Sequence, residues 1–365
     1  MDLESIAANY RVLKARAGGR AVYPVVKADA YGHGAVPVAR RLAEEGAGCF
    51  AVAILEEGIA LRRGGIPGEI LILGACDPAA APLVRGYGLT PAVHDLEQAR
   101  GFASATASFG RPLPVHVKLD TGMGRLGVRP EGVVPLAQIL KSARGLEVAG
   151  AFTQLASGED PAVEPTGRQI AALAAGLAAL SEKGIVPATV HVANSGAILA
   201  HPEAHADAVR PGLALYGVLP SESLEDPGLT PAMRLETRVA AVKSVPAGEA
   251  LGYGGTFVTS RPSRIAALPI GYHDGFRRSF SGRIAVLLRG RRAPVVGVVS
   301  MDLTLIDVTE SGAETGDLVV VMGRLESDRV TVWDLARAAA TNPWEILCGL
   351  GARVPRFYVG AGCAV

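Results

Sequence analysis

A lysine closes an apolar run in Pro24-Val25-Val26-Lys27-Ala28-Asp29-Ala30-Tyr31-Gly32-His33-Gly34. Residues 21–26 are uncharged and rich in β-branched valine, and a polar, glycine-bearing stretch follows. That pattern predicts a short buried strand with a turn after it. A lysine at the end of such a strand places its amine at the mouth of a sheet, partly out of water. Desolvation disfavours the ammonium form, so more of the amine is a neutral nucleophile. The same position also suits a lysine whose stem lies along the strand while its head reaches solvent. Other groups must converge on Lys27 before an amine chemistry is worth arguing.

Several polar residues stand at the ends of predicted strands: Lys118, Asp120, Gln154, Asn194 and Arg210. Arg210-Pro211-Gly212-Leu213-Ala214 follows the last strand, and Gly212 lets another group approach the backbone closely. Asn194-Ser195 opens a short helix whose first N–H groups have no partner within the helix. Loops after the last two strands of a barrel, with a helix N-terminus, are where barrels hold phosphate. A phosphate there and an amine at Lys27 imply a phosphorylated aldehyde, and pyridoxal 5′-phosphate fits. One competing signal exists. Gly122-Met123-Gly124-Arg125-Leu126-Gly127 follows a strand and matches a dinucleotide-binding pattern, with Glu147 about 20 residues on. A nicotinamide-dependent dehydrogenase would read that way. The match falls at the fifth strand rather than the first, and no mononucleotide-binding half follows it.

The elements that must position these groups follow a βα rhythm. Helical patterns cover 3–15, 35–45, 55–63, 78–87, 96–109, 132–143, 166–183 and 195–199. Strand patterns lie between them at 21–27, 49–53, 70–73, 90–93, 115–119, 148–153, 189–192 and 208–210. These strands show little alternation, as strands buried on both faces should. Eight such units predict an α/β barrel of the (β/α)₈ type better than an open doubly wound sheet. The rhythm breaks in the Pro- and acid-rich stretch 222–231. Runs at 234–245, 263–270, 284–288, 295–299, 304–308 and 318–322 then predict a mostly antiparallel β domain. Two late helices at 331–340 and 344–350 have Thr331 and Asn342 as N-caps. The expected domains are 1–225, a cofactor-binding barrel, and 226–365, a β domain.

The 365 residues are 49% hydrophobic and 19% charged, enough for two cores. A formal net charge of +1 offers no field for nucleic acid or a membrane surface, so neither is an expected partner. No apolar stretch reaches the length of a membrane span. The start, Met1-Asp2-Leu3-Glu4, does not read as a secretion signal. Cys49, Cys76, Cys348 and Cys363 lack metal-ligand spacing, so no metal is expected and buried thiols in a reducing cytoplasm are.

Several stretches together resemble the alanine racemase family, pyridoxal-phosphate enzymes of the barrel type. They are Val25 to Gly34, His116-Val117-Lys118-Leu119-Asp120-Thr121 with the glycine loop to Gly127, and Val209-Arg210-Pro211-Gly212-Leu213-Ala214-Leu215-Tyr216-Gly217. Leu268-Pro269-Ile270-Gly271-Tyr272-His273-Asp274-Gly275, Val299-Ser300-Met301-Asp302 and Arg353-Val354-Pro355-Arg356 extend the likeness in family order. The resemblance implies that Lys27 carries the cofactor and acts as one acid–base group. Tyr272, from the partner in a homodimer with shared sites, is implied as the other. Tyr31, Asn194, Ser195, Gly212 and Leu213 are implied to hold the cofactor at its phosphate end, Arg210 its pyridine nitrogen. Arg125 and the Met301 backbone are implied to meet the substrate carboxylate, and Lys118 to be open to carbamylation. The implied reaction interconverts L- and D-alanine, a small amino-acid substrate, and supplies D-alanine for cell wall (peptidoglycan). A broader-specificity amino-acid racemase and a non-catalytic pyridoxal-phosphate-binding barrel are the alternatives.

Racemisation takes a proton from one face of Cα and returns it to the other, so two groups must flank the carbon. A free tyrosine loses its proton near pH 10, and nearby cations such as Arg125 favour its phenolate. Arginine stays charged and does not hand a whole proton to a pyridine nitrogen. A ring held this way is a weaker electron sink, which favours reprotonation at Cα over transamination. The sequence departs from the family where Thr153-Gln154-Leu155 replaces the usual Thr-His-Phe. It departs again at Ala352, where some members have tyrosine, and at His273, where alanine is common. Arg210→Glu is expected to slow racemisation and raise transamination, and the ratio of the two products checks it.

Overall fold

Among the described residues, the apolar runs of the first unit form eight short strands. They are β1 (Ala21–Val22), β2 (Cys49–Val52), β3 (Glu69–Ile72), β4 (Thr90–Val93), β5 (Leu113–Lys118), β6 (Leu146–Phe152), β7 (Thr189–Asn194) and β8 (Ala208–Arg210). The structure is a computed structural model and describes residues 1–160 and 163–360. The strands pair in parallel in the order β1-β8-β7-β6-β5-β4-β3-β2. Past Pro24 the two ends of this sheet meet. Ala51 N donates to Pro24 O and Val26 N donates to Ala51 O, both at 2.9 Å. Helices such as Ala35–Glu44, Leu55–Arg63, Leu96–Ala105 and Pro130–Ser142 connect the strands. Asp95 caps one of them by accepting Gln98 N–H at 2.7 Å. The fold of this unit is the (β/α)₈ barrel expected from the rhythm.

The predicted first strand is corrected in detail. Its regular ladder with β8 covers Ala21–Val22, although Tyr23 N still donates to Val209 O at 2.8 Å and Val25 N to Pro211 O at 2.9 Å before the chain turns. Lys27 therefore opens a turn rather than ending a strand. In that turn Ala28, Asp29, Ala30 and Tyr31 all have φ between 50° and 54°. A left-handed turn costs an L-residue about 1–2 kcal/mol each, so it persists only where its surroundings impose it. Here they do. Ala30 N donates to Val26 O and Gly32 N to Ala28 O, while Gly34 N reaches Asp29 O at 2.8 Å. The Glu57 carboxylate accepts Ala28 N–H at 2.6 Å and Ala53 N–H at 2.7 Å. Asp29 accepts Ala35 N–H at 2.7 Å. The His33 ring donates from Nδ1 to Ala30 O and stacks on Tyr216 at 4.4 Å.

The chain divides into two compact units, Leu3–Thr230 and a second made of Met1–Asp2 with the chain from Pro231. In the second unit the strands are β9 (Leu235–Arg238), β10 (Ala241–Val245), β11 (Ala250–Leu251), β12 (Phe257–Val258), β13 (Ser263–Leu268), β14 (Ala285–Leu288), β15 (Arg291–Val296), β16 (Thr304–Asp307), β17 (Leu318–Leu325) and β18 (Asp328–Val330). They pair antiparallel in the order β10-β13-β16-β15-β14-β17-β18, with β9 also on β17 and β11 paired to β12. The single run predicted at 234–245 is two strands. Val239 N pairs with Asp317 O and Ala240 N with Ala267 O, so the chain passes from one neighbour to another between them. β15 starts earlier than its apolar run, because Arg291 and Arg292 face solvent. The late helices Val332–Ala338 and Pro343–Cys348 carry Thr331 and Asn342 as caps, as expected.

The thiols depart from expectation in part. Cys76 is buried and Cys49 half-buried, but Cys348 is exposed at the end of its helix, where Ile346 and Leu347 take the buried face. Cys363 lies outside the described residues. Glu57→Ala is expected to cost about 1–3 kcal/mol, since the backbone N–H groups of Ala28, Ala53 and Ile54 lose their acceptor. A lower melting temperature, with faster hydrogen exchange at Ala28 N–H, checks that the carboxylate holds the left-handed turn.

Candidate active site

The barrel mouth gathers the residues that the sequence placed at strand ends. Lys27 is half-buried at the start of the left-handed turn, and Tyr31 is buried at its end. The Tyr31 ring lies 5.0 Å from that of Tyr216, whose hydroxyl donates to Val25 O at 2.8 Å. A Cβ on Gly212 would stand 2.6 Å from the Tyr31 hydroxyl oxygen, so only glycine lets this phenol approach the 211–214 backbone. Ser195 Oγ accepts Gly212 N–H at 2.8 Å and Ala214 N–H at 3.2 Å. Asn194 Oδ1 accepts Ala197 N–H at 3.0 Å, and Leu213 is buried at the start of the short turn Leu213–Tyr216. Tyr31, Asn194, Ser195, Gly212 and Leu213 thus converge on one small cradle.

Arg210, the last residue of β8, is buried beside it. One terminal nitrogen, Nη1, is 2.7 Å from His191 Nδ1. The other, Nη2, donates to Thr153 O at 2.7 Å and Val192 O at 3.0 Å. Gln154 Oε1 lies at 3.5 Å from it, so the departure from the family histidine still touches Arg210, only weakly. None of these contacts uses Nε. Burial lowers the Arg210 pKa to about 10, still well above neutrality, so the guanidinium keeps its charge.

Lys118 closes β5 and is 5% exposed. Its Nζ lies 5.5 Å from the Phe152 ring centre, with the Arg210 guanidinium 5.3 Å from the same ring. Burial, then the charges of Arg125, Arg210 and Lys27, lower its pKa to about 8. Four cations thus share one mouth, an environment suited to anionic ligands. Arg125 itself is exposed on the glycine loop. That loop folds back on its own strand: Asp120 N donates to Val128 O and Val128 N to Lys118 O. Asp120 Oδ1 takes the N–H groups of Gly122 and Gly124. Those donors are spent inside the loop, and the next helix starts only at Pro130. The dinucleotide-binding reading fails on both counts.

Tyr272 and Met301 lie in the other unit, 42% and 50% exposed. Tyr272 N donates to Ser300 O at 3.0 Å and His273 N to Met301 O at 3.1 Å. Gly271 must be glycine, because a Cβ there would stand 2.3 Å from both the Ser300 and Met301 carbonyl oxygens. Asp274 accepts Gly271 N–H at 2.9 Å and is gripped by Arg353, which also reaches Asp302 at 2.6 Å. Burial raises the Asp274 pKa, but these donors outweigh it and the net shift is downward. His273 and Ala352 are both exposed, and Gly351 N donates to Asp274 O at 3.1 Å. The cavities of about 430 and 540 Å³ in this unit are lined by none of the predicted site residues.

Sequence reasoning passed over Glu69, His94 and His191 and gave His116 no role. A histidine centred in a valine run, as in Val115-His116-Val117 and Val190-His191-Val192, was the signal available. His94 directly follows β4, with Nδ1 3.0 Å from Asp95 Oδ2 and Nε2 buried without a partner. Burial lowers its pKa, with Lys118 adding to the effect against Asp95.

Comparison with known proteins follows the same two units. The alanine racemase N-terminal domain matches residues 1–220 and the alanine racemase C-terminal domain matches 232–358. The chain belongs to the alanine racemase family. It is 44% identical over 362 residues to an alanine racemase of Symbiobacterium thermophilum, covering 99% of this chain and 96% of the relative. An alanine racemase of Carboxydothermus hydrogenoformans is 41% identical, with 98% of each chain covered. Among solved structures, alanine racemase from D-cycloserine producing Streptomyces lavendulae superposes with a TM-score of 0.93 at 38% identity, covering 99% and 96% of the two chains. That of Bacillus anthracis with bound L-Ala-P gives 0.94 at 32% identity, covering 100% and 95%. No helix among the described residues is long and apolar enough to cross a membrane.

The depressed Lys118 pKa has a signed consequence. The folded state releases this proton near pH 8, whereas an unfolded lysine holds it to about 10.4. Between those values the unfolded chain binds more protons, so the contribution of Lys118 to stability rises with pH there. The melting advantage of Lys118→Met over the parent is expected to shrink from pH 7.5 to 10, read by thermal scans across that range.

Proposed function

We propose that this chain is a pyridoxal 5′-phosphate-dependent racemase that interconverts L- and D-alanine, with Lys27 and Tyr272 as its two acid–base groups. The observation that carries the proposal is the convergence of an amine with an anion cradle. Lys27 opens the turn whose last residue, Tyr31, places its hydroxyl against Gly212, in the loop that also engages Ser195. Full-length family membership supports the substrate, and neither alternative reading, a broader racemase or a non-catalytic barrel, is favoured by the relatives.

The residues present fit the group. Gly212 leaves space beside the Tyr31 hydroxyl, and the surrounding cations suit a phosphate and a carboxylate. When bound, pyridoxal 5′-phosphate supplies an aldehyde that joins an amine covalently and a ring that draws electrons from the neighbouring carbon. Tyr31, Asn194, Ser195 and the backbone at Gly212 and Leu213 would hold its phosphate end. Arg210 would offer Nε–H to the ring nitrogen while keeping its own charge. Arg125 and the Met301 backbone would orient the substrate carboxylate. Lys27 moves the α-proton on one face and Tyr272 on the other. Near pH 8 part of Lys118 is a neutral amine, the form that takes up carbon dioxide, and the resulting carbamate would turn a crowded cation into a partner for Arg125.

Lys27 belongs to one unit and Tyr272 to the other, and Tyr272 and Met301 are exposed side by side. That arrangement supports a homodimer in which each subunit lends these residues to its mate. The domain boundary near 225, and a cytoplasmic location, belong to the same proposal. No disulfide joins Cys49, Cys76 and Cys348, in keeping with a reducing compartment.

Two measurements test this. After borohydride treatment, the peptide containing Lys27 is expected to carry a pyridoxyl group, and α-deuterium is lost fastest from alanine. A Lys27→Ala protein that still traps the cofactor, or an unlabelled parent, ends the proposal. Mixing Lys27→Ala with Tyr272→Phe protein should restore about a quarter of the parental activity, because half the dimers are hybrids with one intact site of two. No recovery after verified subunit exchange removes the shared site.

A further inference from the structure

Arg210 carries a buried charge, yet none of its hydrogen-bond partners is a carboxylate. Its contacts continue away from the barrel mouth. His191 Nε2 is 2.8 Å from His116 Nδ1. His116 Nε2 is 3.2 Å from Glu69 Oε1, and the Tyr23 hydroxyl donates to Glu69 Oε2 at 2.6 Å. Glu69 is the first residue of β3 and Arg210 the last of β8, so the chain crosses the barrel from one end to the other.

The direction of every proton in this chain is held from its two ends, a guanidinium that only donates and a carboxylate that only accepts. A guanidinium has donors only, so Arg210 Nη1 donates and His191 Nδ1 carries no proton. His191 is then neutral, with its proton on Nε2, which donates to His116 Nδ1. His116 in turn carries its proton on Nε2 and donates to Glu69. Each link is oriented from the cation toward the carboxylate.

We propose that Glu69 is a positioning residue for Arg210, a distant counter-charge that fixes both imidazoles as Nε2–H tautomers and so holds the guanidinium as a charged donor facing the substrate side. Barrel interiors are ordinarily filled by branched aliphatic layers drawn from alternate strands. Here β5 and β7, with the residue just past β1, bury His116, His191 and Tyr23, and Glu69 at the start of β3 meets them from the half-exposed end. A purely structural layer is as well or better served by hydrophobic residues, since buried ionic groups are often replaceable at no loss of stability. The geometry is also tightly imposed. His191 lies flat between Phe152 at 4.8 Å and Tyr23 at 5.3 Å. Burial, with Arg210 and His116 adding to it, pushes its pKa well below the usual imidazole value. Burial raises the Glu69 pKa, but the His116 and Tyr23 hydrogen bonds outweigh it and the net is lowered.

This inference rests on the reading above that Arg210 faces the cofactor, but its primary test does not. In the parent holoenzyme labelled with ¹⁵N-histidine, His116 and His191 are each expected to show a bare Nδ1 and a protonated Nε2. A protonated Nδ1 on either ring overturns the relay. Glu69→Gln keeps the shape and removes the charge. It is expected to lose roughly 10–100-fold in kcat with little change in KM, by analogy with the loss when the partner behind a metal-bound histidine is removed. Mixed tautomers at His116 are expected with it. Full kcat with native tautomers in Glu69→Gln overturns the assignment. Tyr23→Phe, which leaves the carboxylate, is expected to keep the tautomers and most of the activity, and an impairment equal to that of Glu69→Gln overturns the role of the charge. If Glu69→Gln does not fold, the parent tautomers and Tyr23→Phe decide. A failed cofactor-trapping result with intact tautomers strikes the functional reading, whereas altered parent tautomers strike the relay alone.

Discussion

The backbone pairing of Pro24 and Val26 with Ala51 joins the first barrel strand to the second. The same few residues launch Lys27. Past β1 the chain is held from both sides at once, Tyr23 and Val25 bonding to Val209 and Pro211 while Pro24 and Val26 bond to Ala51. It then has to reverse within a few residues, and it does so through a left-handed turn built from ordinary L-residues. Such a turn is intrinsically unfavourable. It survives because Glu57, Asp29 and His33 each meet part of its backbone. Closure of the barrel and the aim of the lysine are therefore a single structural event.

The second constraint is electrostatic. Lys27, Lys118, Arg125 and Arg210 crowd the mouth, and burial makes the charges of Lys118 and Arg210 more costly than at a surface. Lys118 responds by giving up its proton near pH 8, while Arg210, lowered only to about 10, keeps its charge at neutrality. The barrel answers with acceptors: two carbonyls at the mouth and a line of imidazoles leading to Glu69. Ligand phosphate and carboxylate would neutralise the rest. The interior is thus polar where barrel interiors are usually aliphatic, and the polarity runs toward the functional end.

Much of this was legible from residue order. Uncharged runs without alternation gave the parallel strands, and regular spacing gave the barrel. The strand-end residues Lys118, Asn194 and Arg210 fell where barrels place function. The left-handed turn was not legible, because Ala28 to Tyr31 carry no signal for positive φ; only tertiary contacts impose it. β15 was misplaced because outward arginines hid its start. The inner histidines were hidden by the same apolar runs that revealed their strands, since a polar residue inside a barrel has no sequence periodicity of its own. The glycine loop misled in the opposite direction: its amides are consumed by Asp120, a contact that no linear pattern predicts.

In the second unit, Arg353 ties Asp274, two residues past Tyr272, to Asp302, next to Met301. Backbone bonds stitch the two segments together, and Gly271 permits no space between them. The phenol and the methionine are accordingly mounted on one stiff tooth rather than on separate loops. Little conformational freedom remains to be lost when that tooth is received by another surface, so the ordering cost of association is met during folding instead.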